Sequence, residues 1–355
     1  MAKVSNSIAL TGGQFNTLGQ IGTRKNVFGT SKLPIIVKGE GTQKIDVKAL
    51  ANKAKKKVIT QAIILSLIDV AIQRNEPERV KAYWNTYHCQ SRIIDGGDRL
   101  YGNYCKNRFC TICLGNRKAE IINKYLPIIK GWPDPYFLTL TSRAVPARKL
   151  KDRMRRIILS LRKILNKNKK RQQRGKGIEI KGIRSLESNF NPIAKTYNLH
   201  FHLIVCSKEA AEYIQMEWLK KCTSKFALEP YQPMRKVQDT IHDLIEVVKY
   251  GSKIFTDPTM KKKAKRTVSP HIYVAAFHNI IWAMDGLRIF ERFGFNLPPR
   301  PKKRKQTLLT QYEKLVFVPE VFDWVSQETA ELLTGYQPSA ELLGLLGENI
   351  DMDLE

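Results

Sequence analysis

The order of strand-like and helical segments between residues 136 and 253 most limits the folds open to this chain. Residues 136–141 show the alternation of a strand, and a helical pattern follows over about residues 147–168. Two more strands are predicted at about 178–188 and 196–206, joined by a turn-rich connection and followed by helices. We therefore predict an α+β fold in which helices flank an antiparallel central sheet.

The charge of the chain restricts its partners. Its 355 residues include 61 Lys+Arg against 32 Asp+Glu, which gives a net charge of +29. A polyanionic partner makes such self-repulsion tolerable, so we expect nucleic acid, with an anionic membrane surface second. The longest apolar stretch, residues 58–72, is too short and too polar to span a bilayer, and no membrane partner is expected. Six cysteines are too few for a disulfide scaffold, and the predicted location is the cytoplasm.

Changes in composition along the chain predict six regions. In order they are a flexible arm (1–45), a helical region (46–87), a cysteine-rich module (88–130), the α+β core (131–256), a basic accessory region (257–314) and an acidic tail (315–355). No basic residue follows Lys314, so the tail is strongly negative. We expect a solvated tail, although it could also compete for the basic face or carry a partner site.

Two histidines form the sharpest local signal. His200 and His202 flank Phe201 on a predicted strand, so both imidazoles point to the same face, about 7 Å apart. They can bind one divalent cation if a third ligand arrives from a neighbouring strand. Glu187, on the preceding strand, is well placed to be that ligand if the two strands pair. Taken alone, the pattern fits a histidine pair without a metal equally well.

A glutamate and a tyrosine lie one turn apart on the helix predicted at about residues 239–253. Glu246 and Tyr250 share one face of this helix, and Lys253 follows three residues later. A tyrosine with a pKa near 10 needs a nearby cation to act as a nucleophile, and a neighbouring carboxylate can act as a general base. The same spacing is common on exposed helices without any chemical role.

Four cysteines fall within 25 residues and predict a small N-terminal zinc-binding module. They are Cys89, Cys105, Cys110 and Cys113. The Cys-x-x-Cys spacing of the last two suits tetrahedral Zn²⁺, and four protein ligands would make the site structural. His88 could replace one thiolate, and four reduced cysteines without a metal are the alternative.

The order of these motifs resembles the rolling-circle plasmid replication initiators of the HUH endonuclease superfamily. The resemblance rests on strand 137–141, the His200–His202 pair and the sequence from Glu246 through Tyr250 to Lys253. It is closest to the branch with a single tyrosine and a glutamate four residues before it. It covers about residues 88–255 and implies an HUH endonuclease-like nuclease core over 131–256.

The resemblance implies a metal-dependent DNA nicking-joining endonuclease. His200 and His202 would bind Mg²⁺ or Mn²⁺, and Tyr250 would attack a phosphodiester, leaving a 5′-phosphotyrosine and a free 3′-OH primer. Glu246 would be the base for a terminating hydrolysis, and Lys253 would steady the phosphate or phenolate. The substrate would be single-stranded or hairpin origin DNA, with a host helicase or polymerase as a further partner. The alternatives are an HUH transposase or relaxase, or a noncatalytic zinc-ribbon regulator.

A basic helix and the residues after it are expected to contact DNA phosphates. Such contacts would be salt-dependent and indifferent to sequence. The alternative is a solvated helix face. The predicted DNA-binding residues are Arg148, Lys149, Arg153, Arg156, Lys169, Lys170 and Arg171.

Overall fold

The computed structural model of the protein describes residues 47–95, 100–248, 270–299, 312–340 and 342–343. Its contacts divide the chain into two units. The small unit comprises Met1–Ala62, His88–Tyr104 and Leu308–Glu355, and the large unit comprises Ile63–Tyr87 and Cys105–Thr307. The predicted arm, residues 1–45, lies outside the described residues.

Helices and strands alternate irregularly along the described chain. The helices are α1 (Val47–Gln73), α2 (Pro77–Tyr87), α3 (Thr111–Lys130), α4 (Leu150–Gln172), α5 (Lys208–Phe226), α6 (Thr240–Val247) and α7 (Pro270–Met284). The strands are β1 (Arg92–Asp95), β2 (Leu100–Gly102), β3 (Tyr136–Thr141), β4 (Val145–Pro146), β5 (Gly182–Asn191), β6 (Thr196–Val205), β7 (Met234–Lys236), β8 (Phe290–Phe293), β9 (Glu313–Val318) and β10 (Asp323–Ser326). None of the helices in the described segments is long and apolar enough to cross a membrane.

The large unit is built on an antiparallel sheet of order β7-β3-β6-β5-β8, with β4 also paired to β6. The α+β prediction of an antiparallel sheet flanked by helices is confirmed. Strands β5 and β6 form the predicted pair, and α4 extends to residue 172, four residues beyond its predicted end. The predicted core boundary at residue 256 is wrong, because β8 completes the sheet by pairing with β5.

The two faces of this sheet differ in chemistry. Phe201 points away from its histidine neighbours and contacts Trp218 of α5, with the ring centroids 6.0 Å apart. On the same face, buried Arg184 lies over the Phe201 ring and pairs with Glu291 of β8. Glu291 also pairs with Arg162 of α4. Helices α4 and α5 therefore cover the Phe201 face, and the histidines point to the opposite face.

The small unit is a second antiparallel sheet, of order β10-β9-β1-β2, packed on the beginning of α1. Leu315, Phe317 and Trp324 are buried with Ile93, and the Trp324 indole donates a hydrogen bond of 2.7 Å to the Gln90 carbonyl. Residues 313–326 are thus part of a folded unit, and the prediction of a solvated tail from 315 is wrong for them. This segment is acidic overall, but its apolar side chains are buried where β9 pairs with β1.

Candidate active site

Pairing of β5 with β6 brings three potential metal ligands together on one face of the large sheet. Glu187 lies directly opposite His200, and His202 follows on the same face. The Glu187 Oε2 atom is 3.4 Å from His200 Nε2 and 3.6 Å from His202 Nε2. One ligand atom from each residue lies within 4.8 Å of the other two, and all three residues are buried.

The surroundings of His202 fit a metal ligand. Its Nδ1 atom lies 3.2 Å from the hydroxyl of Thr139, its neighbour on β3. If Nδ1 carries the proton and donates it to that hydroxyl, Nε2 keeps its lone pair. The buried Nε2 atom has no hydrogen-bond partner among the residues that the structure describes. Two imidazoles and a carboxylate with such an orphaned nitrogen form a ligand set suited to a divalent cation.

Charge in this cluster favours an ionised Glu187. Burial opposes ionisation, but the two imidazoles beside the carboxylate outweigh it and hold the pKa of Glu187 well below its usual range. The carboxylate is therefore ionised at neutral pH, which coordination of a cation requires.

A chain of contacts holds helix α6 over the histidine face. The guanidinium of Arg235 donates two hydrogen bonds to the carboxylate of Asp243, one of them 2.9 Å long. The same guanidinium lies 4.8 Å from the centroid of Phe137, whose ring is 5.4 Å from that of His202. Half-buried Glu246 follows Asp243 by three residues. The hydrogen bonds that Arg235 donates to Asp243 raise the pKa of Arg235 most, and the charges of Asp243 and Glu246 raise it further. The predicted general base thus lies on a helix that packs on the same face as the histidines.

Two predicted catalytic residues cannot be placed. The described part of this helix ends with Val247 and its cap Val248, and Tyr250 and Lys253 lie outside the described residues. Their roles remain predictions.

Three of the four predicted zinc ligands converge in the large unit. Cys110 caps the N-terminus of α3 by accepting a hydrogen bond of 3.5 Å from the backbone N–H of Cys113. The Sγ atoms of Cys105 and Cys113 are 3.7 Å apart, close to the edge of about 3.8 Å expected for a tetrahedron with Zn–S bonds of about 2.3 Å. Cys89 is buried in the small unit, where Lys57 donates to its carbonyl at 2.8 Å.

The predicted phosphate contacts lie around α4, on the face of the sheet away from the histidines. Arg148, Lys149, Arg156 and Lys169 to Arg171 are exposed. Arg153 differs, because its guanidinium packs 4.9 Å from the Phe226 centroid and burial lowers its pKa. The cations of α4 therefore do not line the histidine cluster, and DNA contact remains their predicted role.

Sequence reasoning missed the residues that support the site. Thr139 was recognised only as part of a strand, and its contact with His202 depends on the register between β3 and β6. Arg235 and Asp243 carried no motif, although a buried acid early in an amphipathic helix is a signal for a cationic partner.

The fold and the cluster define a class: an antiparallel α+β protein with a candidate cation site on one face of its sheet. A family model described as "Replication protein" matches residues 99–289, which is more than half of the chain. The chain belongs to this family, and its identification as a rolling-circle plasmid replication initiator is confirmed.

Relatives called "Protein rep" support this assignment. The chain is 30% identical over 171 residues to one from Staphylococcus aureus, which covers 44% of this chain and 72% of the relative. It is 29% identical over 158 residues to one from Bacillus amyloliquefaciens, which covers 40% of this chain and 44% of that relative. The match to a third, from a Bacillus species, spans 48% of the relative. No solved structure matches the chain significantly.

Proposed function

We propose that this replication initiator nicks and joins single-stranded or hairpin origin DNA in a metal-dependent reaction. The observation that carries the proposal is the cluster of Glu187, His200 and His202 on the sheet face that also carries α6. A divalent cation held by these residues would lie on the face that α6 covers, where it would polarise a bound phosphodiester. Glu187, His200 and His202 would hold Mg²⁺ or Mn²⁺.

The cleavage step would be a transesterification. The phenolate oxygen of Tyr250 forms a bond to the scissile phosphorus, and the bond from phosphorus to the 3′ oxygen breaks. That oxygen takes up a proton and becomes the 3′-OH primer, while the 5′ phosphate stays on the tyrosine. A bound cation would polarise the phosphate and offset charge in the transition state. Lys253 would steady the phosphate or the phenolate.

Glu246 would act in the terminating step. As a general base it would take a proton from a water that attacks the phosphotyrosine, which frees the enzyme. Its place on α6, three residues after the Arg235–Asp243 pair, supports this role because the helix is fixed against the sheet.

The cysteines would supply a structural Zn²⁺ site. We propose that Cys89 joins Cys105, Cys110 and Cys113 as the fourth thiolate. The backbone N–H of Asn107 donates to Cys105 Sγ at 3.4 Å, as that of Cys113 does to Cys110 Sγ, and such donors stabilise thiolate ligands. His88 as a replacement for Cys89, a host helicase or polymerase as partner and a cytoplasmic location stay predictions.

The test is incubation of the full-length protein with a labelled single-stranded origin oligonucleotide and Mn²⁺. A covalent protein–DNA adduct should form and should be lost in Tyr250→Phe. His202→Ala should abolish cleavage and leave duplex binding near the wild-type level. Intact DNA with undiminished binding by the wild-type protein would instead support a noncatalytic regulator.

A further inference from the structure

An open groove lies beside the histidine cluster in the large unit. Its floor includes Thr139, Thr141 and Asn198, and its volume is about 700 Å³, within the range of ligand pockets. Thr139 pairs with His202 and Thr141 with His200 between β3 and β6, so the groove opens on the histidine face. Thr139 also lies within hydrogen-bond distance of His202, which places the groove directly next to a proposed metal ligand.

The wall of the groove is apolar and faces solvent. Tyr231 is 63% exposed, Leu228 is 50% exposed and Phe226 is 39% exposed. A single exposed apolar side chain is ordinary, but three on one wall of a groove mark a surface that binds something.

The wall is also held rigidly against the sheet. Gln232 is only 1% exposed, and its side-chain oxygen accepts a hydrogen bond of 2.6 Å from the backbone N–H of Thr141. Its amide nitrogen donates to the Thr141 hydroxyl at 2.9 Å, and that hydroxyl donates to the Tyr231 carbonyl at 3.0 Å. The phenol ring of Tyr231 takes no part in these bonds. The Tyr231 ring therefore projects from a fixed loop, so little ordering is needed when it contacts a ligand.

Positive charge accompanies the apolar wall. Arg143 lines the groove with an exposed side chain, and its backbone N–H donates to the Phe226 carbonyl at 2.7 Å. Arg153 packs over the Phe226 ring, and its pKa is lowered by burial and then by the charges of Arg156 and Arg143. Arg143 and Arg156 therefore both lie near Arg153. Flat apolar side chains with arginines beside them suit unstacked nucleobases on a phosphate backbone.

We propose that this groove binds a nucleobase of single-stranded DNA adjacent to the scissile phosphate, with Tyr231 stacking on the base and Arg143 contacting the backbone. The inference deepens the proposed function and rests on it for the position of the scissile phosphate. A base in a duplex is paired and stacked on its neighbours, so the groove discriminates in favour of single strands. It would thus direct melted or extruded origin DNA to the cluster.

The experiment compares DNA affinities of full-length variants in buffer without added Mg²⁺ or Mn²⁺, so that no cleavage occurs and the proposed structural Zn²⁺ stays bound. A fluorescein-labelled single-stranded oligonucleotide of mixed sequence and the corresponding duplex are titrated by anisotropy. Tyr231→Ala should raise the Kd for the single strand about 5- to 100-fold, as expected from the loss of one base–aromatic stack. The duplex Kd should stay within about twofold, and Tyr231→Phe should bind like wild type. Tyr312→Ala, which removes a tyrosine 47% exposed and outside the groove, is the matched control.

Three outcomes would overturn the inference. One is an unchanged single-strand Kd in Tyr231→Ala, and another is an equal loss of single-strand and duplex binding. The third is a change in sedimentation of Tyr231→Ala with normal single-strand binding, which would make the groove a protein interface. The binding titrations require no cleavage, so they test the groove independently of the proposed reaction. If the wild-type protein forms no adduct in the cleavage assay, that result counts against the proposed function and not against the groove.

Discussion

Replacing Thr139 by valine should weaken binding of a divalent cation to the proposed site of Glu187, His200 and His202 without unfolding the sheet. Valine has nearly the shape of threonine but lacks the hydroxyl that lies 3.2 Å from His202 Nδ1. His202 is only 8% exposed, so water cannot readily replace the lost partner. The imidazole would then be free to rotate or to adopt the tautomer that carries a proton on Nε2.

The size of the effect follows from the loss of one buried partner. Leaving a buried polar atom unsatisfied costs about 1–3 kcal/mol, and a distance of 3.2 Å indicates a hydrogen bond of ordinary strength. An effect of about 1–2 kcal/mol corresponds to a Kd for Mn²⁺ raised about 5- to 30-fold. In other metal sites, loss of a residue that hydrogen-bonds a metal ligand weakens metal binding about 10- to 100-fold. The rise in Kd expected here overlaps the lower part of that range.

Isothermal titration of Mn²⁺ into the wild-type, Thr139→Val and Thr139→Ser proteins measures this effect directly. Serine keeps the hydroxyl, so it should restore most of the affinity although it removes a methyl group. Wild-type affinity in the valine variant would refute the reasoning. So would serine and valine variants that are equally weak, because that result would point to packing alone.

The remaining predictions concern α6 and the thiols. Asp243→Asn should lower the free energy of unfolding by about 1–2 kcal/mol and slow nicking, because it removes the charge that binds Arg235. The affinity for Mn²⁺ should be unchanged. A parallel loss of Mn²⁺ affinity would contradict the proposed role of the Arg235–Asp243 pair. Cys110→Ser should lower the zinc content measured by atomic absorption, while the serine hydroxyl still caps α3; full zinc occupancy would contradict the assignment of Cys110 as a ligand. Burial raises the pKa of the Cys222 thiol from 9.0 to about 11, so at pH 8 its thiolate fraction is about 100-fold lower. Alkylation of Cys222, followed by peptide mass spectrometry, should keep accelerating above pH 9 towards pH 11, and a rate that levels off near pH 9 would exclude the shift.

The parts predicted well from the sequence depend on local patterns. Strand alternation placed His200 and His202 on one face, and the short connection between β5 and β6 indicated that Glu187 would approach them. Both inferences need only the period of a strand and a hairpin, which neighbouring residues determine. The role of the three residues as metal ligands stays a prediction.

The parts that could not be predicted depend on contacts between distant segments. Strand β1 pairs with β9, although more than 200 residues separate them in the chain, and neither strand is long enough to be evident alone. The contact between Thr139 and His202 likewise requires the register of two strands, β3 and β6, that are separated in the chain by β4, α4 and β5. Arg235 and Asp243 are only eight residues apart, but their contact requires the turn that brings the start of α6 back beside β7.

The position of β8 has a practical consequence for isolating the nuclease part of the molecule. Buried Arg184 donates hydrogen bonds to the carbonyls of Arg288 and Ile289 and to the carboxylate of Glu291, so these acceptors all come from the chain that follows the motif residues. A fragment trimmed soon after Lys253 would leave this guanidinium buried without a counter-charge, at a cost of about 3–5 kcal/mol, and would bare the edge of β5. A minimal nuclease must therefore continue to Phe293, about 40 residues past the last motif residue.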